Sequence, residues 1–204
     1  MNINYQLICD RQIEKMTSEG RVPSLLLHSC CGPCSSYVLE YLSRFFSITV
    51  LYYNPNIYPE REFQKRLETQ REVLLKMAFK NPVRLMEARP YDYGEFLKAS
   101  KNLEKEKEGG KRCVECFKLR LFETARLAAE LGMDCFTTTL SVSPHKNAEI
   151  LNLLGKEAES LFGVEYLEAD FKKREGYKRS IELSKVHNLY RQEYCGCEFS
   201  INRE

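Results

Sequence analysis

Three groups of cysteine stand out in this chain: Cys30-Cys31-Gly32-Pro33-Cys34, Cys113-Val114-Glu115-Cys116 and Cys195-Gly196-Cys197. Thiolate sulfur ligates metals and attacks disulfides, so closely spaced thiols mean metal binding or redox chemistry. A Cys-x-x-Cys alone is a weak sign, since zinc half-sites, redox pairs and cluster half-sites all use it. The first group strengthens it. Cys30, Cys31, Cys34, Cys113 and Cys116 offer five thiols to a four-thiolate site. Such a site holds zinc or an iron–sulfur cluster, and the residues leave both open. Cys195-Gly196-Cys197 is spaced more tightly than zinc half-sites usually are. Gly196 frees the backbone so that both sulfurs can face one centre. That suggests a second chelating or redox-active element rather than two thiols on a frayed tail. Cys9 and Cys135 are isolated and read as small hydrophobes of the core.

Composition sets the surroundings. Nine cysteines in 204 residues is a high and odd count. In a reducing compartment it favours metal or redox chemistry over a disulfide framework. No apolar run approaches the ~18 residues of a membrane helix. Residues 1–11 lack a signal-peptide pattern, so a cytoplasmic protein is expected. A hydrophobic content of 43% fills a full core. Net charge is only +2, so a nucleic-acid partner must be held by local basic patches.

The elements that must position the thiols alternate. A leading amphipathic helix is expected over 5–19, within an N-terminal segment 1–20. Strands follow over 24–29, 47–54, 83–87, 135–140 and 164–167, read from short apolar runs bounded by Gly, Pro and Ser. Helices fill the gaps over 35–46, 60–80, 93–99, 112–131 and 145–162, and a last one over 176–187 opens a C-terminal segment 176–204. Residues 101–111 are a charged linker. Strands alternating with helices give a doubly wound, mainly parallel α/β sheet, Rossmann-like, with the topology of PP-loop and HUP domains and a helical C-terminal tail. The chain 1–204 reads as one such domain. Right-handed crossovers put the turns after the first four strands on one rim, where ligands of open α/β sheets bind.

Other residues on that rim have two readings each. Asp92 could ligate a metal or hold a substrate hydroxyl, or cap the helix that follows. His28 is expected to be a satisfied core histidine. Thr137, Thr138 and Thr139 are explained by strand propensity, although their hydroxyls end near the rim. Of three basic clusters, Lys172, Lys173, Arg174, Lys178 and Arg179 have Glu175 as lone acid within the run. They are the candidate phosphate contacts.

His-Ser-Cys-Cys-Gly-Pro-Cys-Ser at 28–35, Tyr-Asn-Pro-Asn-Ile at 53–57, Arg-Cys-x-x-Cys-Phe at 112–117 and Tyr-Arg-Gln-x-Tyr-Cys-Gly-Cys-x-Phe-Ser at 190–200 resemble the QueH type of epoxyqueuosine reductase. The motifs run in order over nearly the whole chain. The resemblance implies the last step of queuosine synthesis on tRNA: deoxygenation of the epoxide in the anticodon loop, without the cobalamin an unrelated enzyme uses. It implies a [4Fe-4S] cluster held by Cys30, Cys31, Cys113 and Cys116. Cys195 and Cys197 are then expected to be catalytic, either with Asp92 as ligands of a second, mononuclear iron or as a dithiol that closes to a disulfide. Cys34 is spare and could serve either centre. Glycine at 32, where alanine is common, is expected to be harmless. The partners implied are tRNA and an external electron donor. Other classes are a zinc-stapled tRNA-binding protein and a tRNA sulfur-transfer enzyme carrying persulfide on Cys195 or Cys197. The lack of a Gly-rich loop after the first strand counts against ATP use in the latter.

Overall fold

Leu25, Leu26 and Leu27 are all fully buried. Neighbours along a strand point to opposite faces, so both faces of this sheet must be covered. They are: Leu25 and Leu27 belong to one core cluster and Leu26 to another. The computed structural model describes residues 3–86 and 90–201. Strand β1 (Ser24–His28) lies at the centre. It pairs in parallel with β2 (Ser47–Leu51) on one side and β4 (Cys135–Thr138) on the other. β3 (Val83–Leu85) and β5 (Glu165–Tyr166) form the edges, giving the order β3-β2-β1-β4-β5, all parallel.

Parallel strands need crossovers, and helices supply them. Helices α1 (Tyr5–Met16) and α2 (Gly32–Leu42) fill one face through Cys9, Ile13, Val38, Leu39 and Leu42, with Val73 of α3 (Glu60–Lys76). Helix α7 (Gly176–Val186) packs on α2. Helices α5 (Lys111–Glu130) and α6 (Ala148–Phe162) cover the other face, and the short α4 (Tyr93–Ala99) leans on α5. The chain leaves β1 toward β2 and later returns to β4 on the opposite flank. The crevice between the ends of β1 and β4 is therefore the topological switch point, where ligands of such sheets sit. His28 lies opposite Thr138 there, so Cys30 and Thr139 meet across it.

Every expected element is present, but several ends differ. Helix α2 starts at Gly32, not 35, because Pro33 occupies the first turn, where its missing N–H costs nothing. Strand β4 stops at Thr138, and Thr139–Val142 coil into a 3-10 turn. Helix α6 begins at Ala148, where Asn147 accepts from the N–H groups of Glu149 and Ile150. Strand β2 ends at Leu51 rather than 54, and α3 ends at Lys76 rather than 80. The third strand was expected to reach Glu87, which lies outside the described residues. The last expected helix, 176–187, is α7, and after it the chain is irregular apart from one 3-10 turn, Glu198–Ser200. The linker 101–111 is organised by buried Arg112, whose Nη1 donates to the carbonyls of Leu103, Glu104 and Glu106. Among the described residues no helix is long and apolar enough to cross a membrane.

Gly176 shows how tightly α7 is set. A Cβ there would stand 2.0 Å from the Phe171 carbonyl oxygen and 2.3 Å from the Tyr37 ring. Phe171 and Gly176 are both buried, although residues 173–175 between them are exposed, so that carbonyl has little room to move. Gly176→Ala should cost about 1–3 kcal/mol, the usual range for overpacking. The expected observation is a lower urea midpoint; an unchanged midpoint would show slack in the 171–176 turn.

Candidate metal centre

The turn after β1 is held from three sides. Ser29 N–H donates to the Leu51 carbonyl at 2.9 Å, and Asn54 Nδ2 donates to the Ser29 carbonyl at 2.8 Å. The hydroxyls of Ser29 and Ser35 both donate to Oε1 of fully buried Gln70, at 2.6 and 2.7 Å. Gly32 lets α2 close on α3, since a Cβ there would meet Thr69 Cγ2 at 2.7 Å and Thr69 O at 2.8 Å. Glycine at 32, expected to be harmless, is what the site requires, since alanine would collide with that backbone.

This packing gathers the sulfurs of Cys30, Cys31 and Cys34 within 4.8 Å of one another. No other set of three or more such ligands is as close among the described residues. The Cys30 and Cys31 sulfurs are 3.7 Å apart. Tetrahedral ligation with bonds of ~2.3 Å puts sulfurs ~3.8 Å apart, so the donor set fits a thiolate-bound metal. The three thiols are unequal: hydrogen bonds from Cys31 and Cys34 hold the pKa of Cys30 well below the ordinary thiol value, against burial, with help from Lys146. The same bonds hold protons on the partners. Cys31 is pushed up to about 11, and Cys34 lies well above its ordinary value.

Cys113 and Cys116 sit in the first turns of α5, after the cap at Gly110. Neither belongs to the 4.8 Å group. Cys113 packs in the same apolar cluster as Cys30, and Cys116 packs with Phe96 and Cys197. Burial raises the pKa of Cys113 and pushes Cys116 up to about 12, the latter in spite of Arg120.

A finer pattern separates the thiols. Four sulfurs accept a hydrogen bond from a group that is not a thiol. Thr139 Oγ1 donates to Cys30 at 3.4 Å, and Gln192 Nε2 to Cys31 at 3.1 Å. Gly109 N–H donates to Cys113 at 3.2 Å, and Arg120 Nη2 to Cys116 at 3.3 Å. Among the described residues Cys34, Cys195 and Cys197 receive none. Thr139 also accepts from the Cys30 N–H at 3.2 Å, so its hydroxyl spans the switch point.

Cys195 and Cys197 have different surroundings, although both act on the charge of Cys113 and Cys116. Gly196, at φ +133°, turns the chain between them. Cys195 lines a cavity of about 660 Å³ with Cys30, Cys34, Arg120, Lys146 and Arg191. Cys197 is buried beside Cys116 and Phe96. Asp92 stands apart. Its exposed carboxylate caps α4 by accepting the Gly94 N–H at 2.8 Å, and it borders a different, small cavity with Tyr52 and Phe63. His28 is a satisfied core residue: Nε2–H donates to the Tyr53 carbonyl and Nδ1 accepts from Thr138, and burial lowers its pKa to about 4. Cys9 and Cys135 are fully buried, as expected of small hydrophobes.

The basic run 172–179 is not as free of counter-charge as its own sequence suggested. Lys172 pairs with Asp170, Arg174 with Asp10, Lys178 with Glu175, and Arg179 with Glu40 and Glu182. Four of those partners lie outside the run, and Asp10 and Glu40 come from distant helices that a linear reading does not see. Residues missed from sequence are Thr139, Gln192, Arg120 and Gly109. The only signal for Gln192 was its place inside the Tyr-Arg-Gln motif.

A doubly wound α/β domain with thiols at its switch point is a metal- or redox-active domain on a nucleotide-binding scaffold. Comparison with known proteins narrows this. Residues 25–203 match the family model described as epoxyqueuosine reductase QueH. A protein of Streptococcus pyogenes serotype M1, described as epoxyqueuosine reductase QueH, is 41% identical over 98% of this chain and 80% of its own length. Proteins with the same description from Staphylococcus epidermidis and Thermotoga maritima are 40% and 36% identical, over 99% and 87% of this chain and 86% and 90% of their own. The chain belongs to the epoxyqueuosine reductase QueH family. Among solved structures, the U34-tRNA thiolase NcsA from Methanococcus maripaludis with its [4Fe-4S] cluster is 10% identical. It aligns over 94% of this chain and 67% of its own, with a TM-score of 0.49, a likeness too slight to bear on the site.

The unequal charge on the first three thiols is measurable. In metal-free protein, iodoacetamide at pH 7 should label Cys30 before Cys31, Cys34 or Cys116, because its thiol is held below the ordinary pKa and theirs are held above it. Labelling of the others should rise only in alkaline solution. Peptide mapping that finds Cys34 labelled first would reverse the charge assignment.

Proposed function

We propose that this chain reduces epoxyqueuosine in the tRNA anticodon loop to queuosine in the cytoplasm, without cobalamin. The observation that carries this reading is the family match over 25–203, which spans every residue around the thiol cavity. Removing the epoxide oxygen as water takes two electrons and two protons, so an external electron donor is required. A [4Fe-4S] cluster, bound by Cys30, Cys31, Cys113 and Cys116, would supply electrons one at a time. Support for this ligand set over one using Cys34 is the donor pattern: these four sulfurs each have a partner that stabilises negative charge on them.

The chain's own part is to hold and orient. The cavity of about 660 Å³ takes one nucleotide turned out of an unpaired loop. Lys146 and Arg191 line it and pair with no carboxylate among the described residues, so they are available to phosphate. Burial works against the Lys146 charge, but Cys195, Cys30 and Cys34 outweigh it and raise its pKa. Cys195 and Cys197 would complete the two-electron chemistry, as ligands of a second iron or as a dithiol. Asp92 would join such an iron only by giving up the Gly94 N–H.

Protein purified without oxygen should be brown and bleach with dithionite. Alanine at Cys30, Cys31, Cys113 or Cys116 should remove the colour and the activity, while Cys34→Ala keeps the colour. Cys195→Ser or Cys197→Ser should abolish turnover with the visible spectrum intact. Colourless protein with stoichiometric zinc and full activity would sink the cluster reading in favour of a zinc-stapled one.

The RNA contacts have their own test. Lys146→Gln with Arg191→Gln should weaken tRNA binding and flatten its log–log salt slope by roughly 0.7 per lost contact with single-stranded RNA. Neutralising Arg174 and Arg179, whose charges are already balanced, should leave the slope alone. The opposite result would return the RNA surface to α7.

A further inference from the structure

Residues 189–200 cross the thiol site as a strap bonded at almost every step. Leu189 is buried in the core under α2. Tyr190 donates its hydroxyl to the Glu62 carboxylate at 3.0 Å, and the Lys65 ammonium stands 3.6 Å over its ring. Arg66, 2% exposed and paired with Glu62, donates to the carbonyls of Cys195 and Tyr194 at 3.1 and 3.2 Å. Tyr58 N–H donates to the Gly196 carbonyl at 2.8 Å, and the Tyr194 hydroxyl to the Tyr58 carbonyl. Tyr93 donates to Glu198 at 2.9 Å, and Arg112 lies over Phe199. Between these anchors Gln192 reaches inward, its Nε2–H on the Cys31 sulfur at 3.1 Å.

Of the four donors to sulfur, three belong to the α/β body. Thr139 follows β4, Gly109 precedes α5, and Arg120 is within α5. Gln192 alone is carried by the strap that also carries Cys195 and Cys197. We propose that Gln192 is a positioning residue that sets the reducing power of the centre held by Cys31, and that it makes this property depend on the strap being docked. The proposal rests on the cluster reading above. A ligand thiolate gains negative charge when its cluster takes up an electron. An N–H aimed at that sulfur therefore stabilises the reduced form more than the oxidised form and raises the reduction potential. Lifting the strap removes this donor from Cys31 and leaves the other three in place. The centre then accepts an electron from a one-electron donor most readily when Cys195 and Cys197 are seated beside it.

The test is a reductive titration, followed by visible absorbance and electron paramagnetic resonance, on protein prepared without oxygen. Gln192→Met keeps the side-chain length and removes the donor; Gln192→Glu removes it and adds a negative charge. Iron and sulfide content should equal wild type in both. The midpoint should fall in Gln192→Met and fall further in Gln192→Glu. Tyr190→Leu loosens the strap without changing charge at the site. It should shift the midpoint in the same direction, with no added shift when combined with Gln192→Met. Midpoints equal to wild type in both Gln192 variants would overturn the proposal. Loss of iron in Gln192→Met would make the residue a structural support and overturn it too. A shift in Gln192→Met with none in Tyr190→Leu would overturn the dependence on docking. Wild-type protein with no reducible chromophore would defeat the cluster reading itself, and this proposal with it.

Discussion

Sulfurs crowded into a protein interior cannot all be anionic, and this constraint orders the rest of the structure. Like charges a few ångströms apart repel strongly where water is scarce. The turn at Cys30, Cys31 and Cys34 answers unequally: the hydrogen bonds among them lower the pKa of Cys30 and raise those of Cys31 and Cys34. Cys116 stays protonated through burial until something replaces its proton. The surroundings are built for the state in which those protons are gone. Hydroxyl, amide and guanidinium donors stand at four sulfurs, and Lys146 feels three thiols at once. Loading a thiolate-bound metal into such a site must release protons, so its affinity rises with pH.

The fold was legible because its strands are short apolar runs covered on both faces, and because the breaks between them carry Gly, Pro and capping residues. Leu25-Leu26-Leu27 needs a helix on each side, and the end of α6 at Phe162, before Gly163, is legible too, whereas the starts set by Pro33 and Asn147 lie about three residues from where the pattern puts them. The thiols were legible for a similar reason: their spacing is local. What escaped was set by contacts distant in sequence. Gln192 lies 161 positions from Cys31, and Thr139 lies 109 from Cys30. No periodicity announces such a pair. Arg66 sits on a charged helix whose composition reads as solvent-facing, yet it is one of the largest fully buried side chains.

The same blindness to distance explains the misreadings. Lys172 to Arg179 has one acid inside the run, but Asp10 and Glu40 arrive from α1 and α2. Asp92 has the chemistry of a ligand and the position of a helix cap, and the nearer bond is the one it makes. Gly32 looked like a harmless exchange for alanine. It is there for its missing side chain, since the gap between α2 and α3 has room for a hydrogen only.

The strap has a consequence for how the protein is made. The chain leaves the ribosome from its N-terminal side, and structure forms in that order. Cys30, Cys31 and Cys34 are synthesised first, Cys113 and Cys116 some eighty residues later, and Gln192, Cys195 and Cys197 last of the three groups. From the pairing of β4 until residues 189–200 emerge, the first thiols stand at an open crevice with neither Gln192 nor the Arg66-bound segment across it. A nascent chain at that stage holds the nucleophilic Cys30 sulfur without its cover. Metal captured then would meet an incomplete set of donors, so correct loading belongs after the strap has closed.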